Sequence, residues 1–212
     1  MQLKWMIILC FSLNAFANGK VTYLKGKLTA LNLEKGAHHI KTLKEESKVK
    51  TGYSYLTHEL SQTVISLSDG TWLRFGSDTK FEVSEKKEHF VLTILTGTVR
   101  VLFAPKLKNN TKHKRFVIQT PDAHVETAEG KFTLTYMPLF QHTSVYVDKG
   151  LVQLSSIGDR IVQVPETIHA GEYSELIKNE TKPRASQPMS ERELNLLKTL
   201  MFAQLKDSKS SL

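Results

Sequence analysis

Along much of this chain the apolar residues fall two apart: Phe90, Leu92 and Ile94; Val99, Val101 and Phe103; Phe132, Leu134 and Tyr136; Val145 and Val147. Side chains two apart share one face of an extended chain, so the pattern predicts half-buried β-strands. The punctuation agrees. Asp69-Gly70 and Gly97 offer backbone positions with positive φ, and Pro105, Pro121, Pro138 and Pro165 close off hydrogen-bonded ladders. Each strand reads as no longer than about eight residues. Many short strands at close spacing predict an all-β domain, whether sandwich, barrel or solenoid, and periodicity alone does not choose among them.

One short pattern recurs. Leu95-Thr96-Gly97-Thr98-Val99-Arg100-Val101 and Val147-Asp148-Lys149-Gly150-Leu151-Val152-Gln153-Leu154 each set a glycine between two alternating segments, and Lys25-Gly26-Lys27-Leu28 is a weaker copy. The echo fits stacked strand units, although its irregular spacing excludes a strict short repeat.

The ends read differently. Lys4, an apolar run from Trp5 to Leu13, and small residues at Ala15 and Ala17 form the pattern of a signal peptide cleaved after residue 17. All eleven glycines lie between Gly19 and Gly171, while residues 172–212 have none and carry Pro183 and Pro188, which places a boundary near residue 175. Ser190 and Glu193 have capping-box spacing, and Leu194, Leu197, Met201 and Leu205 form an apolar stripe at helical spacing. The expected organisation is a signal peptide (1–17), a β domain (18–175), a linker (176–189), an amphipathic helix (190–206) and a tail (207–212).

Charge and cysteine usage narrow the function classes. The net charge of +8 is compatible with an anionic envelope surface, and export argues against a nucleic-acid partner. Cys10 is the only cysteine and leaves with the signal peptide, which excludes thiol nucleophiles, disulfides and cysteine-ligated metal in the mature chain. No later apolar run approaches the roughly 20 residues that a membrane-spanning helix needs.

Over most of residues 20–175 the order of segments resembles the FecR domain, named for the periplasmic part of iron-transport regulators. Val49-Lys50-Thr51-Gly52 with Ser54 resembles its early turn. Ile65-Ser66-Leu67-Ser68-Asp69-Gly70-Thr71-Trp72-Leu73-Arg74-Phe75 resembles its strand, Asp-Gly turn and returning strand. Leu95-Thr96-Gly97-Thr98-Val99, Phe116-Val117-Ile118-Gln119-Thr120-Pro121, Glu129-Gly130-Lys131-Phe132, Val145-Tyr146-Val147-Asp148-Lys149-Gly150-Leu151-Val152 and Ala170-Gly171-Glu172 follow in the family's order. The resemblance implies a twisted β-sandwich or solenoid-like domain, here with a C-terminal α-helix, and brings no catalytic residues to carry over. The regulators place a cytosolic sigma-binding segment and a membrane helix before this domain, where this chain has the signal-peptide pattern. Gly130-Lys131 also stands where the family has glycine-threonine.

Two surfaces stand out as binding candidates. Lys106, Lys108, Lys112, Lys114 and Arg115 crowd one loop around Asn109-Asn110. The loop reads either as an electrostatic contact for an anionic envelope polymer or lipid, or as a solvated hairpin tip kept polar against edge pairing. The stripe of Leu194, Leu197, Met201 and Leu205 reads either as packing on the β domain or as a docking face for a partner. The eight histidines show no ligand spacing, and no nucleophile elbow or other catalytic signature occurs, so no metal, cofactor or catalytic residue is expected. The sequence thus predicts a periplasmic, non-enzymatic module that binds an envelope protein or anionic envelope polymer. The alternatives are a ligand-responsive receiver relaying to a membrane partner and, third, a carbohydrate-active or metal-dependent enzyme.

Overall fold

Strands form where the period of two predicts them, and two sheets share their longest strands. A computed structural model of the chain describes residues 19–33, 39–67, 70–86, 89–103, 115–157, 164–178 and 180–195, without the side chains of 85, 86, 89 and 90. The predicted signal peptide lies outside these residues. The front face runs, in order, β4 (Lys48–Val49), β1 (Gly19–Lys25), β6 (Gln62–Leu67), β7 (Trp72–Phe75), the second half of β9 (His89–Phe103), β12 (Gly130–Met137), the first half of β13 (His142–Ser156), β15 (Glu172–Leu176) and β16 (Gln187–Pro188). The back face runs β3 (Ile40–Leu43), β2 (Leu28–Asn32), β5 (Tyr53–Thr57), β8 (Lys80–Lys86), the first half of β9, β10 (Arg115–Gln119), β11 (Ala123–Thr127), the second half of β13 and β14 (Glu166–His169). The fold is all-β, and its two layers make it a sandwich in which β9 and β13 belong to both sheets.

These two strands correct one expectation. Each is 15 residues long, about twice the length predicted. Gly97, with φ of 94°, bends β9 between the faces instead of ending it. A Cβ there would stand 2.4 Å from Thr79 Oγ1 and 2.6 Å from Thr79 Cα, so only glycine lets the strand turn and continue. Gly150 does the same for β13, and Gly26 stands where β1 leaves the front face for β2 on the back. The echoed glycine pattern therefore marks the corners of the sandwich. We call the side carrying Gly26 and Gly97 the Gly97 rim, and the opposite side, carrying Gly130, Gly150 and Gly171, the Gly150 rim.

Between the faces lies the predicted core. Leu92, Ile94, Val99, Val101, Phe103, Phe132, Leu134, Tyr136, Val145 and Val147 are all buried. Phe75 from the front stacks on Phe81 from the back with ring centroids 3.8 Å apart, and Tyr55 continues the stack at 5.1 Å. Removing such a ring from water stabilises the fold by about 1.5–3 kcal/mol. Hydroxyls satisfy backbone groups that the corners take out of the ladders. Thr57 Oγ1 accepts from Thr79 N (2.9 Å), Thr79 Oγ1 from Thr98 N (3.1 Å), and Ser61 Oγ from Lys27 N (2.8 Å).

Residues 180–190, where the sequence suggests a linker, run back along β15. Arg184 N donates to Glu175 O, its guanidinium pairs with Glu175 and Glu180, Pro183 is buried, and Gln187–Pro188 form β16. Proline has no N–H to offer a further strand, so Pro188 suits the open edge it occupies.

Candidate functional site

Two features single out the Gly150 rim: the basic loop and the C-terminal helix both arise there. Phe103 pairs with Gly130, Gly130 with Gly150, Gly171 N donates to Val147 O (2.8 Å), and Met189 N donates to Gly171 O (3.0 Å). These corners sit on adjacent strands from β9 to β16, spanning four interstrand spacings of about 4.8 Å, on the order of 20 Å in all.

Phe103 ends β9 on the front face, and Arg115 begins β10 on the back face. Among the described pairings β9–β10 is the parallel one, so the connection crosses between faces and is not the hairpin tip that the sequence also allowed. Phe103 and Phe116 close its base with ring centroids 5.4 Å apart. Of the five loop cations, Arg115 is exposed and its Nη1 stands 2.7 Å from Glu126 Oε1. Lys106, Lys108, Lys112 and Lys114 lie outside the described residues.

At the other root the capping box forms as its spacing predicts. Ser190 N and Oγ donate to Glu193 Oε2 (2.9 and 2.6 Å), Glu193 N donates to Ser190 Oγ (3.3 Å), and Leu194 N donates to Ser190 O. Hydrogen bonds from Ser190 hold the Glu193 carboxyl below its usual range. The described helix covers residues 191–195, with Leu194 half-buried; Leu197, Met201 and Leu205 lie outside the described residues. Nearby, His169 N donates to Glu172 (2.9 Å), fixing the turn at Gly171 and lowering the Glu172 carboxyl.

The outward side of the front face carries a charged row that the sequence reading missed. Arg74 and Arg100 face each other across β7 and β9, and Arg100 reaches past Thr133 to both oxygens of Asp148 (3.1 and 3.0 Å). Burial, then Arg100, lowers the pKa of Arg74. In sequence each arginine stands between two core residues, Leu73 and Phe75 or Val99 and Val101, which marks it as outward-facing. What the sequence withholds is the register that places the two cations side by side.

The described histidines form separate small contacts. His58 meets Thr29, His124 meets Gln119, and His142 Nε2 meets Glu175 Oε2 at 2.9 Å. No group of three or more His, Cys, Asp or Glu that could hold a metal occurs among the described residues.

Comparison with known proteins gives the arrangement a family. The family model described as FecR protein matches residues 53–153, from the first residue of β5 to three residues beyond Gly150. No curated protein matches the chain. Two crystal structures of a candidate anti-sigma factor from Parabacteroides distasonis ATCC 8503 are similar to it. One has a TM-score of 0.52 at 12% identity over 68% of this chain and 63% of that one; the other has 0.49 at 13% identity over 66% and 61%. The chain thus spans less than two thirds of the length of those proteins, and the first likeness is one of fold. Residues 53–153 of this chain match the FecR domain, and β1–β4 and β14–β16 complete the sandwich around them.

Proposed function

We propose that this FecR-domain chain is exported and works in the periplasm by binding and not by catalysis, its Gly150 rim contacting an envelope protein or anionic envelope polymer within a signalling pathway. The observation that carries the reading is the common origin of the basic loop and the capped helix on one rim of a rigid sandwich. Loops and termini held by such a scaffold are the usual seat of recognition. A cation-rich segment and an apolar helical stripe that start from one rim offer a partner both electrostatic attraction and apolar burial.

Affinity capture from an envelope extract tests it. Capture of the partner is expected to fail when Lys106, Lys108, Lys112, Lys114 and Arg115 are changed to Gln, or when residues 189–212 are deleted. Undiminished capture after both changes overturns the choice of surface, and recovery of unprocessed chain from the cytosol overturns export.

The shared fold of the candidate anti-sigma factor favours a second reading, a ligand-responsive receiver that relays to a membrane partner in sigma-factor regulation. Deleting the gene then shifts the transcription of a defined regulon. An unchanged transcript profile, with binding intact, leaves the first reading alone.

A further inference from the structure

The Gly97 rim carries a different kind of surface. Between β12 and β13 the chain turns through Pro138, Leu139, Phe140 and Gln141, and two large apolar side chains project from this hairpin tip, Leu139 at 84% and Phe140 at 61% exposure. Met137 at the end of β12 is 38% exposed, and Ile157, just beyond β13, is 50% exposed. The four are brought to one end of the rim by the fold. Ile157 N donates to Asp122 O (2.7 Å), and the Thr120 and Thr143 hydroxyls, 2.9 Å apart, tie the Asp122 turn to the start of β13. Leu176 pairs with Thr143 beside the hairpin, and Ser156 Oγ donates to Thr181 O (2.8 Å) next to Ile157, so the chain beyond β15 touches both ends of β13 at this rim.

The same stretch supplies the charge. Lys178 and Lys182, two and six residues beyond the Leu176 that pairs with Thr143, are exposed, whereas Glu175 is engaged by His142 and Arg184, Glu180 by Arg184, and the Asp122 carboxylate has a buried oxygen. Adjacent apolar side chains on a convex tip, with cations at their flank, match an anionic lipid surface, which takes apolar groups into its acyl boundary and attracts cations at its headgroups.

We propose that the β12–β13 hairpin tip is a membrane-docking element that inserts Leu139 and Phe140 into an anionic bilayer, with Lys178 and Lys182 at the headgroups. The two rims lie on opposite sides of the sandwich, separated by the front-face part of β13, on the order of 25 Å. Docking by the hairpin therefore holds the Gly150 rim away from the lipid. The inference stands on described side chains and does not depend on the identity of a partner at that rim.

Vesicles of phosphatidylcholine with phosphatidylglycerol are the probe. The full chain is expected to co-sediment with them, and Leu139→Ser/Phe140→Ser is expected to weaken binding by at least about tenfold, since two large apolar side chains no longer leave water. Both side chains are exposed, so the variant retains the wild-type unfolding midpoint. Lys178→Gln/Lys182→Gln should weaken binding to anionic vesicles and leave binding to pure phosphatidylcholine unchanged. A Phe140→Trp variant should be quenched by brominated acyl chains beyond any quenching of Trp72 in the wild type, and that excess reads the tip alone. Equal binding by all variants, absence of wild-type binding, or no quenching of the new tryptophan each overturns the proposal. So does loss of a dimer in the serine variant without loss of vesicle binding, which would make the tip a contact between copies. Gln substitution of the five basic-loop cations tests the Gly150 rim separately and is expected to leave tip quenching intact.

Discussion

Gly150 faces Gly130 across the β12–β13 ladder so closely that a Cβ on Gly150 would stand 2.9 Å from Gly130 Cα and 2.7 Å from the carbonyl oxygen of Glu129. With φ of 87°, Gly150 is also in the left-handed region. Gly52, at φ of 77°, has nothing within 4 Å of the same position. The pair separates two costs. Gly52→Ala should destabilise by about 1–2 kcal/mol, the conformational term alone. Gly150→Ala should cost more than about 2 kcal/mol because backbone must also move. Urea unfolding midpoints measure both, and equal losses would show that the corner yields freely.

The Arg100–Asp148 pair invites a cycle of substitutions. Both side chains are largely buried, at 21% and 16% exposure. Asp148→Ala takes two charge-assisted bonds from a guanidinium that stays largely buried beside Arg74, so a loss of about 2 kcal/mol is expected. Arg100→Met with Asp148→Leu should recover at least about half of that loss, because apolar replacements of both partners leave no stranded charge. A double variant as unstable as the single one would show that the pair's surroundings, and not its charges, carry the stability.

Alkaline conditions should loosen the sandwich from within. Burial pushes the Tyr55 phenol up to about 12 against the lowering effect of its backbone hydrogen bond with Lys50, and burial with the nearby Asp122 carboxylate pushes Tyr136 up to about 12. In both cases the folded state keeps its proton longer than the unfolded state, whose phenols titrate near 10. Stability is therefore complete below about pH 10 and falls as pH rises toward about 12. Tyr55→Phe should flatten part of that fall while weakening the fold near neutrality, since Lys50 N and O lose their partner at 2.7 and 2.8 Å. Unfolding midpoints measured from pH 8 to about 12 decide it; parallel curves for the two proteins would refute Tyr55 as a contributor.

The inward side chains were legible in sequence because the strand period is local: Phe132, Leu134 and Tyr136 announce their shared face without knowledge of any neighbour. The Ser190–Glu193 cap was legible for the same reason, since its partners lie three residues apart. Strand length was not. Gly97 and Gly150 look like stops in sequence, and only the close approach of Thr79 or Gly130 shows that each is a bend with the ladder resuming beyond it. Register was hidden too, and with it the meeting of Arg74 and Arg100. The exposed tip at Leu139 and Phe140 follows Pro138, a visible break, but whether apolar residues after a break fall inside or outside depends on what the rim leaves uncovered. The parallel placement of β10 beside β9 was equally beyond local pattern, so the loop joining them could be read as a hairpin tip.

Strands shared between sheets have a mechanical consequence. A pull on the C-terminal helix first unzips β16, then β15 and then β14, each bonded to a neighbouring strand along a short ladder. It then meets β13, which is stitched to β12 in front and to β11 behind. Tension applied at the carboxyl end is thus expected to peel away a short terminal flap and stall at the rivet.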